Sequence, residues 1–148
     1  MSVSSVVIDD HLLLQMLLAE EPPDVRPLGA VVSTTGLWYH RLCRALSNPT
    51  VTGAMSRSLS DLDAPAARRV VGSVVELPES IGVTSLRSLG WQMAELLTHG
   101  VRLNLLSLEA LAAAEHLGAT ICLATVDDNP ALRDAAQRRG VPIRLITP

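Results

Sequence analysis

The stretch LLSLEALAAAEHLGATICLATVDD, residues 105–128, is the most informative part of the chain for the fold. Its Ala- and Leu-rich first part is typical of a helix, and Gly118 marks the end of that helix because glycine readily adopts a left-handed conformation. The following run TICLATV (120–126) is continuously apolar, as expected of a strand buried on both faces. Two carboxylates, Asp127 and Asp128, come next. The stretch therefore predicts a helix, a buried strand and an acidic turn in succession.

Helix and strand patterns alternate along the rest of the chain. Further strands or extended segments are predicted at 5–8, 30–34, 81–86 and 142–147, and further helices at 11–19, 36–46, 64–77, 88–100 and 129–140. Residues 47–62 are rich in turn formers and receive no element. Because parallel strands need helical crossovers, this alternation predicts an α/β fold with a parallel sheet, built as one domain over residues 1–148.

Composition excludes several classes of protein. An apolar content of 48% excludes a disordered chain, and a net charge of −3 argues against a generally basic nucleic-acid surface. Cys43 and Cys122 lack the spacing of a zinc site and are interpreted as inert thiols in a reducing compartment. No stretch is long enough to span a bilayer and the N-terminus lacks the pattern of a signal peptide, so a cytoplasmic location without membrane contact is predicted.

Acidic residues follow both the first strand and the strand at 120–126. Asp9 and Asp10 come directly after SVVI (5–8). Ligands of open parallel sheets bind beyond the carboxyl ends of the strands, so four carboxylates converge if these two strands are neighbours. Glu109, near the start of the preceding helix, is placed to reach the same edge. Carboxylates that cluster repel one another unless a cation neutralises them, and oxygen ligands suit Mg²⁺ or Mn²⁺.

Each acid taken singly also has a structural explanation. An acid in the first turn of a helix is stabilised by the helix dipole by ~0.3–1 kcal/mol, a description that fits Asp10 and Glu109. Asp127 and Asp128 precede an Asn-Pro helix start, where aspartate is common in turns. The shared position of these acids at two strand ends favours a metal site, with Asp9 as a ligand and Asp10 as a helix-start residue.

Three segments resemble the PIN-domain family, to which the VapC-type toxin ribonucleases belong. VVIDDHLL (6–13) resembles the opening strand and first acid of the family. LSLEALAAAEHLGATICLATVDD (106–128) resembles its helix, buried strand and T-x-D motif, with Thr125 as the threonine. The C-terminal helix, Gly140 and VPIRLI (141–146) resemble the usual ending. The resemblance spans essentially the whole chain and implies a PIN-like three-layer α/β/α fold around a central parallel sheet.

The resemblance also implies a function. Members of the family bind Mg²⁺ or Mn²⁺ in a ring of Asp and Glu and cut RNA with a metal-activated water. Transferred to this chain, the catalytic metal ligands would be Asp9, Glu109 and Asp127, with Asp128 as a further ligand. The resemblance further implies a homodimer and, for a toxin, an antitoxin protein as partner.

Two departures from the family pattern concern this site. Glu109 stands where the family has Asp, and the family's second acid, a Glu on the helix after the second strand, has no counterpart because residues 25–60 contain no Asp or Glu. His40 is the candidate substitute for it, and Arg41 and Arg44, one turn apart, are candidate phosphate contacts. The alternative function is therefore a catalytically degenerate PIN-like module for binding or interaction.

The segment VIDDH (7–11) also resembles the acid pair of response-regulator receiver domains. That family requires a lysine late in the chain and a phosphorylatable Asp after the third strand. The chain contains no lysine, and the acid-free stretch at 25–60 adds to the mismatch. A receiver domain is accordingly disfavoured.

Overall fold

A computed structural model describes residues 3–48 and 59–148, in which five strands form one sheet. The strands are β1 (Ser5–Ile8), β2 (Val31–Thr35), β3 (Ile81–Thr84), β4 (Thr120–Ala124) and β5 (Ile143–Ile146). Their order across the sheet is β3-β2-β1-β4-β5, and every neighbouring pair is parallel. The predicted central parallel sheet is confirmed.

Six helices lie wholly within the described ranges. They are α1 (Asp10–Leu17), α2 (Gly36–Ser47), α3 (Ala64–Val75), α4 (Leu86–Thr98), α5 (Leu105–Leu117) and α6 (Pro130–Arg138). No helix within these ranges combines the length and apolar composition that a bilayer crossing requires. Most of the turn-rich segment predicted at 47–62 falls on residues 49–58, which lie outside the described part of the chain.

The sheet is covered on both faces, which makes the fold a three-layer α/β/α sandwich. Alternate residues of the central strand β1 enter different cores: Val7 packs with apolar residues of α4, α5 and α6, whereas Val6 and Ile8 pack with those of α1, α2 and α3. These three residues are each at most 1% exposed. This two-sided burial explains why the strand sequences are continuously apolar.

Local sequence signals define the ends of several helices. Asp9, Thr35 and Asn129 precede α1, α2 and α6, and each side chain accepts a hydrogen bond from a backbone N–H of the first turn. Such caps satisfy donors that have no partner within the helix. At the other end of α5, Gly118 adopts φ +60°, the left-handed conformation predicted for it.

The order of the strands creates a crevice between β1 and β4. From β1 the chain builds the sheet in one direction through β2 and β3, and then adds β4 and β5 on the other side of β1. Such a reversal is the usual ligand site of an open parallel sheet. The register pairs Ile8 with Cys122, so the carboxyl ends of β1 and β4 lie side by side. The acids that follow these strands therefore meet, as the sequence predicted.

Strand β4 ends at Ala124, two residues earlier than predicted. Residues Thr125–Asp127 instead form a 3₁₀ turn. Asp127 is the last residue of that turn, directly beyond the strand end.

Candidate metal centre

Three carboxylates meet at the carboxyl ends of β1 and β4. One oxygen atom from each of Asp9, Asp10 and Asp127 lies within 4.8 Å of the other two. The side chains of Asp10 and Asp127 are 2% and 32% exposed, so the cluster extends from the interior to the surface. All three residues line a cleft of about 240 Å³, together with Arg41 and Asp128.

Asp9 connects the start of α1 to the end of β4. Its Oδ1 accepts a hydrogen bond from the backbone N–H of Leu12 at 2.9 Å, and its Oδ2 accepts one from Ala124, also at 2.9 Å. Burial, together with the charges of Asp10 and Asp127, raises the pKa of this carboxyl from 3.8 to about 7, against the effect of the two N–H donors. Asp9 is thus a structural residue as well as a candidate ligand.

Asp10 has one oxygen without a hydrogen bond. Its Oδ1 accepts from the backbone N–H of His11 at 3.0 Å, but its Oδ2 is buried and has no hydrogen-bond donor. Nε of Arg41 lies 3.0 Å from that Oδ2, an ion pair without hydrogen-bond alignment. Burial raises the pKa of Asp10, and the nearby guanidinium of Arg41 opposes this effect. An acceptor of this kind, at the wall of a cleft, fits a cation.

Asp127 has a buried histidine beside it. Nδ1 of His11 lies 3.4 Å from Oδ2 of Asp127, a distance longer than an ordinary hydrogen bond, so the contact is electrostatic. The carboxylate raises the pKa of His11, whereas burial lowers it. When it is protonated, His11 therefore compensates part of the charge of Asp127.

The other two acids predicted as ligands have protein partners. Glu109 is 1% exposed, and its Oε1 accepts a hydrogen bond from the backbone N–H of Leu37 at 2.8 Å, in the first turn of α2. Asp128 lines the cleft, but both of its oxygens accept hydrogen bonds from Arg133, at 2.7 and 3.0 Å. In this structure Glu109 stabilises the start of α2, and Asp128 forms a bidentate surface ion pair.

The three candidates on α2 occupy different environments. Arg41 lines the cleft and contacts Asp10. His40 and Arg44 are exposed and are not among the residues that line the cleft. Of the predicted phosphate contacts and the predicted substitute ligand, only Arg41 is therefore placed at the acidic cluster.

Sequence reasoning did not single out His11 and assigned Asp10 a helix-start role. The signal was present in the consecutive letters IDDH, which place ionisable side chains at a strand-to-helix junction. Two further residues that sequence reasoning missed, Ser107 and Asn129, also line the cleft. Nδ2 of Asn129 donates a hydrogen bond to Oγ of Ser107 at 2.9 Å, and this bond joins the starts of α5 and α6.

No family model matches this chain, and a comparison with curated proteins gives no match either. The chemistry of the cleft is therefore inferred from its donor set. The three carboxylates, which include the Oδ2 of Asp10 that lacks a hydrogen bond, supply oxygen ligands, which hard divalent cations prefer. A cation held there by a few protein oxygens would retain water molecules and remain accessible from the cleft.

Proposed function

We propose that this chain is a divergent PIN-like ribonuclease whose Mg²⁺ or Mn²⁺ ion is held by Asp9, Asp10 and Asp127. The observation that carries the proposal is the cluster of three carboxylates in an open cleft, at the position where the strand order of the sheet reverses. A divalent cation bound there would polarise a phosphate oxygen and activate a water molecule.

The residues of the chain have distinct roles in this proposal. Asp9 and Asp10 are buried and would hold the cation from the interior of the protein, whereas Asp127 is more exposed and would hold it nearer to solvent. Arg41 lines the cleft and contacts the phosphodiester. Glu109 orients the first turn of α2, the helix that carries Arg41, through its hydrogen bond with Leu37. Asp128 and Arg133 form the rim.

The resemblance to toxin ribonucleases extends the proposal to partners. A homodimer and an antitoxin protein belong to the proposed function on that ground alone. The proposed substrate class is RNA, cleaved at its phosphodiester bonds, and no particular RNA molecule is proposed.

A second candidate function is supported by the basic side chains beside the cluster. Arg41 lies beside Asp10, so the protein itself compensates part of the acidic charge, and His11 beside Asp127 adds to this compensation when it is protonated. Residues 25–60 also lack the acid that the PIN pattern places there. Both observations favour a degenerate PIN-like module that binds a partner without cutting RNA.

Calorimetric titration with Mn²⁺ distinguishes the two functions. We expect the unaltered protein to bind Mn²⁺, Asp127→Asn to lose at least tenfold in affinity (~1.4 kcal/mol), and Asp128→Asn to retain it because Asp128 is paired with Arg133. Mn²⁺-dependent cleavage of RNA should follow the same order. Absence of binding at millimolar Mn²⁺ would exclude the nuclease and leave the binding module.

A further inference from the structure

Asp10 and Arg41 form a pair that bears directly on cation binding. Oδ2 of Asp10 is buried without a hydrogen-bond donor, and the cationic Nε of Arg41 lies 3.0 Å from it. Asp9 differs from Asp10, because each of its two oxygens already accepts a backbone N–H. Among the oxygens of Asp9 and Asp10, the Oδ2 of Asp10 is thus the one whose charge is compensated by an exposed arginine and not by a backbone N–H.

Arg41 is suited to leave that position. Its side chain is 47% exposed and lines the cleft, so the guanidinium can move outward into solvent without crossing the core. Its long stem is flexible, and the pair lacks the aligned hydrogen bonds of a bidentate arginine–carboxylate contact. The Asp128–Arg133 pair at the rim has that bidentate geometry.

A divalent cation and the guanidinium compete for the same oxygen. The cation carries twice the charge and approaches a carboxylate oxygen to ~2.0–2.1 Å as Mg²⁺, closer than the 3.0 Å that separates Nε of Arg41 from Oδ2 of Asp10. Burial strengthens both interactions, since Asp10 is screened from water. Occupation by one cation therefore disfavours the other.

We infer that Arg41 is an internal counter-ion of the cluster, which neutralises Asp10 in the metal-free protein and is displaced when a divalent cation binds. The inference rests on the proposed metal site and adds a regulatory contact to it. Because coupling between two ligands of one site is reciprocal, removal of Arg41 strengthens metal binding, and metal binding loosens Arg41.

Calorimetry on Arg41→Met tests the first half of this coupling. Methionine retains an unbranched apolar stem without the charge. We expect Arg41→Met to bind Mn²⁺ about fivefold tighter or more than the unaltered protein, the lower end of ordinary coupling between sites. Arg87→Met is the matched control: it removes one positive charge from the exposed surface of α4, and its affinity for Mn²⁺ should be unchanged.

The reactivity of Arg41 in the unaltered protein tests the second half. Phenylglyoxal labels accessible guanidinium groups, and mass spectrometry of the digested protein reports each arginine separately. We expect saturating Mg²⁺ to increase the labelling rate of Arg41 while Arg87, in the same sample, keeps its rate. This measurement needs no variant, so it stands even if Arg41→Met does not fold.

The outcomes separate this inference from the proposed function. Equal Mn²⁺ affinity in the unaltered protein and Arg41→Met would overturn the inference and leave the metal site in place. Tighter binding with an unchanged or reduced labelling rate of Arg41 would show remote repulsion rather than displacement, and would also overturn it. If neither protein binds Mn²⁺, the metal site and the inference both fail.

Discussion

At the scale of single residues, Asp9 is subject to two opposing effects on its charge: its hydrogen bonds favour the carboxylate, and its burial beside other acids disfavours it. Its oxygens accept backbone N–H groups from Leu12 and Ala124, which are on different elements. Its burial next to two other carboxylates nevertheless penalises the charged form, so its pKa rises to about 7. The hydrogen bonds favour the carboxylate and the surroundings oppose it. A bound cation would resolve the conflict.

Asp9→Asn is expected to destabilise the fold. An amide can accept the N–H of Leu12 with its oxygen, but its nitrogen cannot accept from Ala124, so a buried N–H loses its partner at a cost of about 1–3 kcal/mol. The free energy of unfolding in urea near pH 4 measures this loss, because the Asp9 carboxyl is then uncharged in the folded protein and little burial of charge is relieved by the amide. Asp127→Asn, whose side chain is partly exposed, is the control and should unfold near the unaltered protein. Equal stability of both variants would contradict the structural role of Asp9.

The stability of the metal-free protein is expected to fall as pH rises from about 4 to about 7. The raised pKa of Asp9 means that the folded state binds a proton more tightly than the unfolded state does. The stability gained from this proton is therefore complete below the unfolded pKa of 3.8, and it is lost as the pH rises to about 7. The raised pKa of His11 acts in the same direction at higher pH. Urea midpoints measured with a chelator should show the decline, and excess Mn²⁺ should reduce it. A rise in midpoint over this range would contradict the assigned shift.

At the scale of the elements, local signals were sufficient for most of the helices and strands. Asn129 followed by Pro130 marked the start of α6, and Gly118 the end of α5, because both depend only on neighbouring backbone. The end of β4 was placed two residues late. TICLATV is uniformly apolar, and nothing in its composition distinguishes the last strand residue from the 3₁₀ turn that follows.

The candidate site was only partly predictable, because some of its contacts join residues that are far apart in the sequence. Asp9 and Asp127 each follow a strand, so their convergence can be predicted once β1 and β4 are taken to be neighbours in the sheet. The partner of Glu109, by contrast, is Leu37, 72 positions away along the chain. The role of Asp10 depends on how the backbone turns from β1 into α1. Neither can be inferred from spacing, because both are set by tertiary packing.

Replacement of the glycine that ends α5 should weaken the fold without altering the metal site. Gly118 has φ +60°, and a Cβ there meets no heavy atom within 4 Å, so the cost of Gly118→Ala is conformational, about 1 kcal/mol. Gly118→Asn should cost less, because asparagine tolerates this conformation better. Thermal unfolding of the two variants measures the difference, and their Mn²⁺ affinities should match that of the unaltered protein. Greater stability of the alanine variant would contradict this account.

At the scale of the whole molecule, the cluster lies where the two halves of the sheet meet. The side formed by β1, β2 and β3 contributes Asp9 and Asp10, and the side formed by β4 and β5 contributes Asp127. A cation bound by all three would cross-link the two sides in the folded state, whereas the unfolded chain does not assemble this ligand set. Metal binding is therefore linked to global stability.

Mn²⁺ at a hundred times its dissociation constant should stabilise the protein by about 2.7 kcal/mol. The rise in melting temperature with Mn²⁺ concentration measures this linkage. Asp127→Asn should lose the rise, and Asp128→Asn, whose carboxylate is engaged by Arg133, should keep it. An equal rise in both variants would place the bound ion elsewhere on the protein.

The hydrogen bond between Asp9 and Ala124 joins residues 115 positions apart, and it has a consequence for synthesis of the chain. A ribosome adds ~5–20 residues per second, so Asp9 and Asp10 emerge several seconds before Asp127. During that interval the nascent polypeptide has two acids and no cluster. Under the proposed function, the nuclease would therefore be inert towards the messenger and the ribosome that are producing it until β4 has been translated and has docked beside β1.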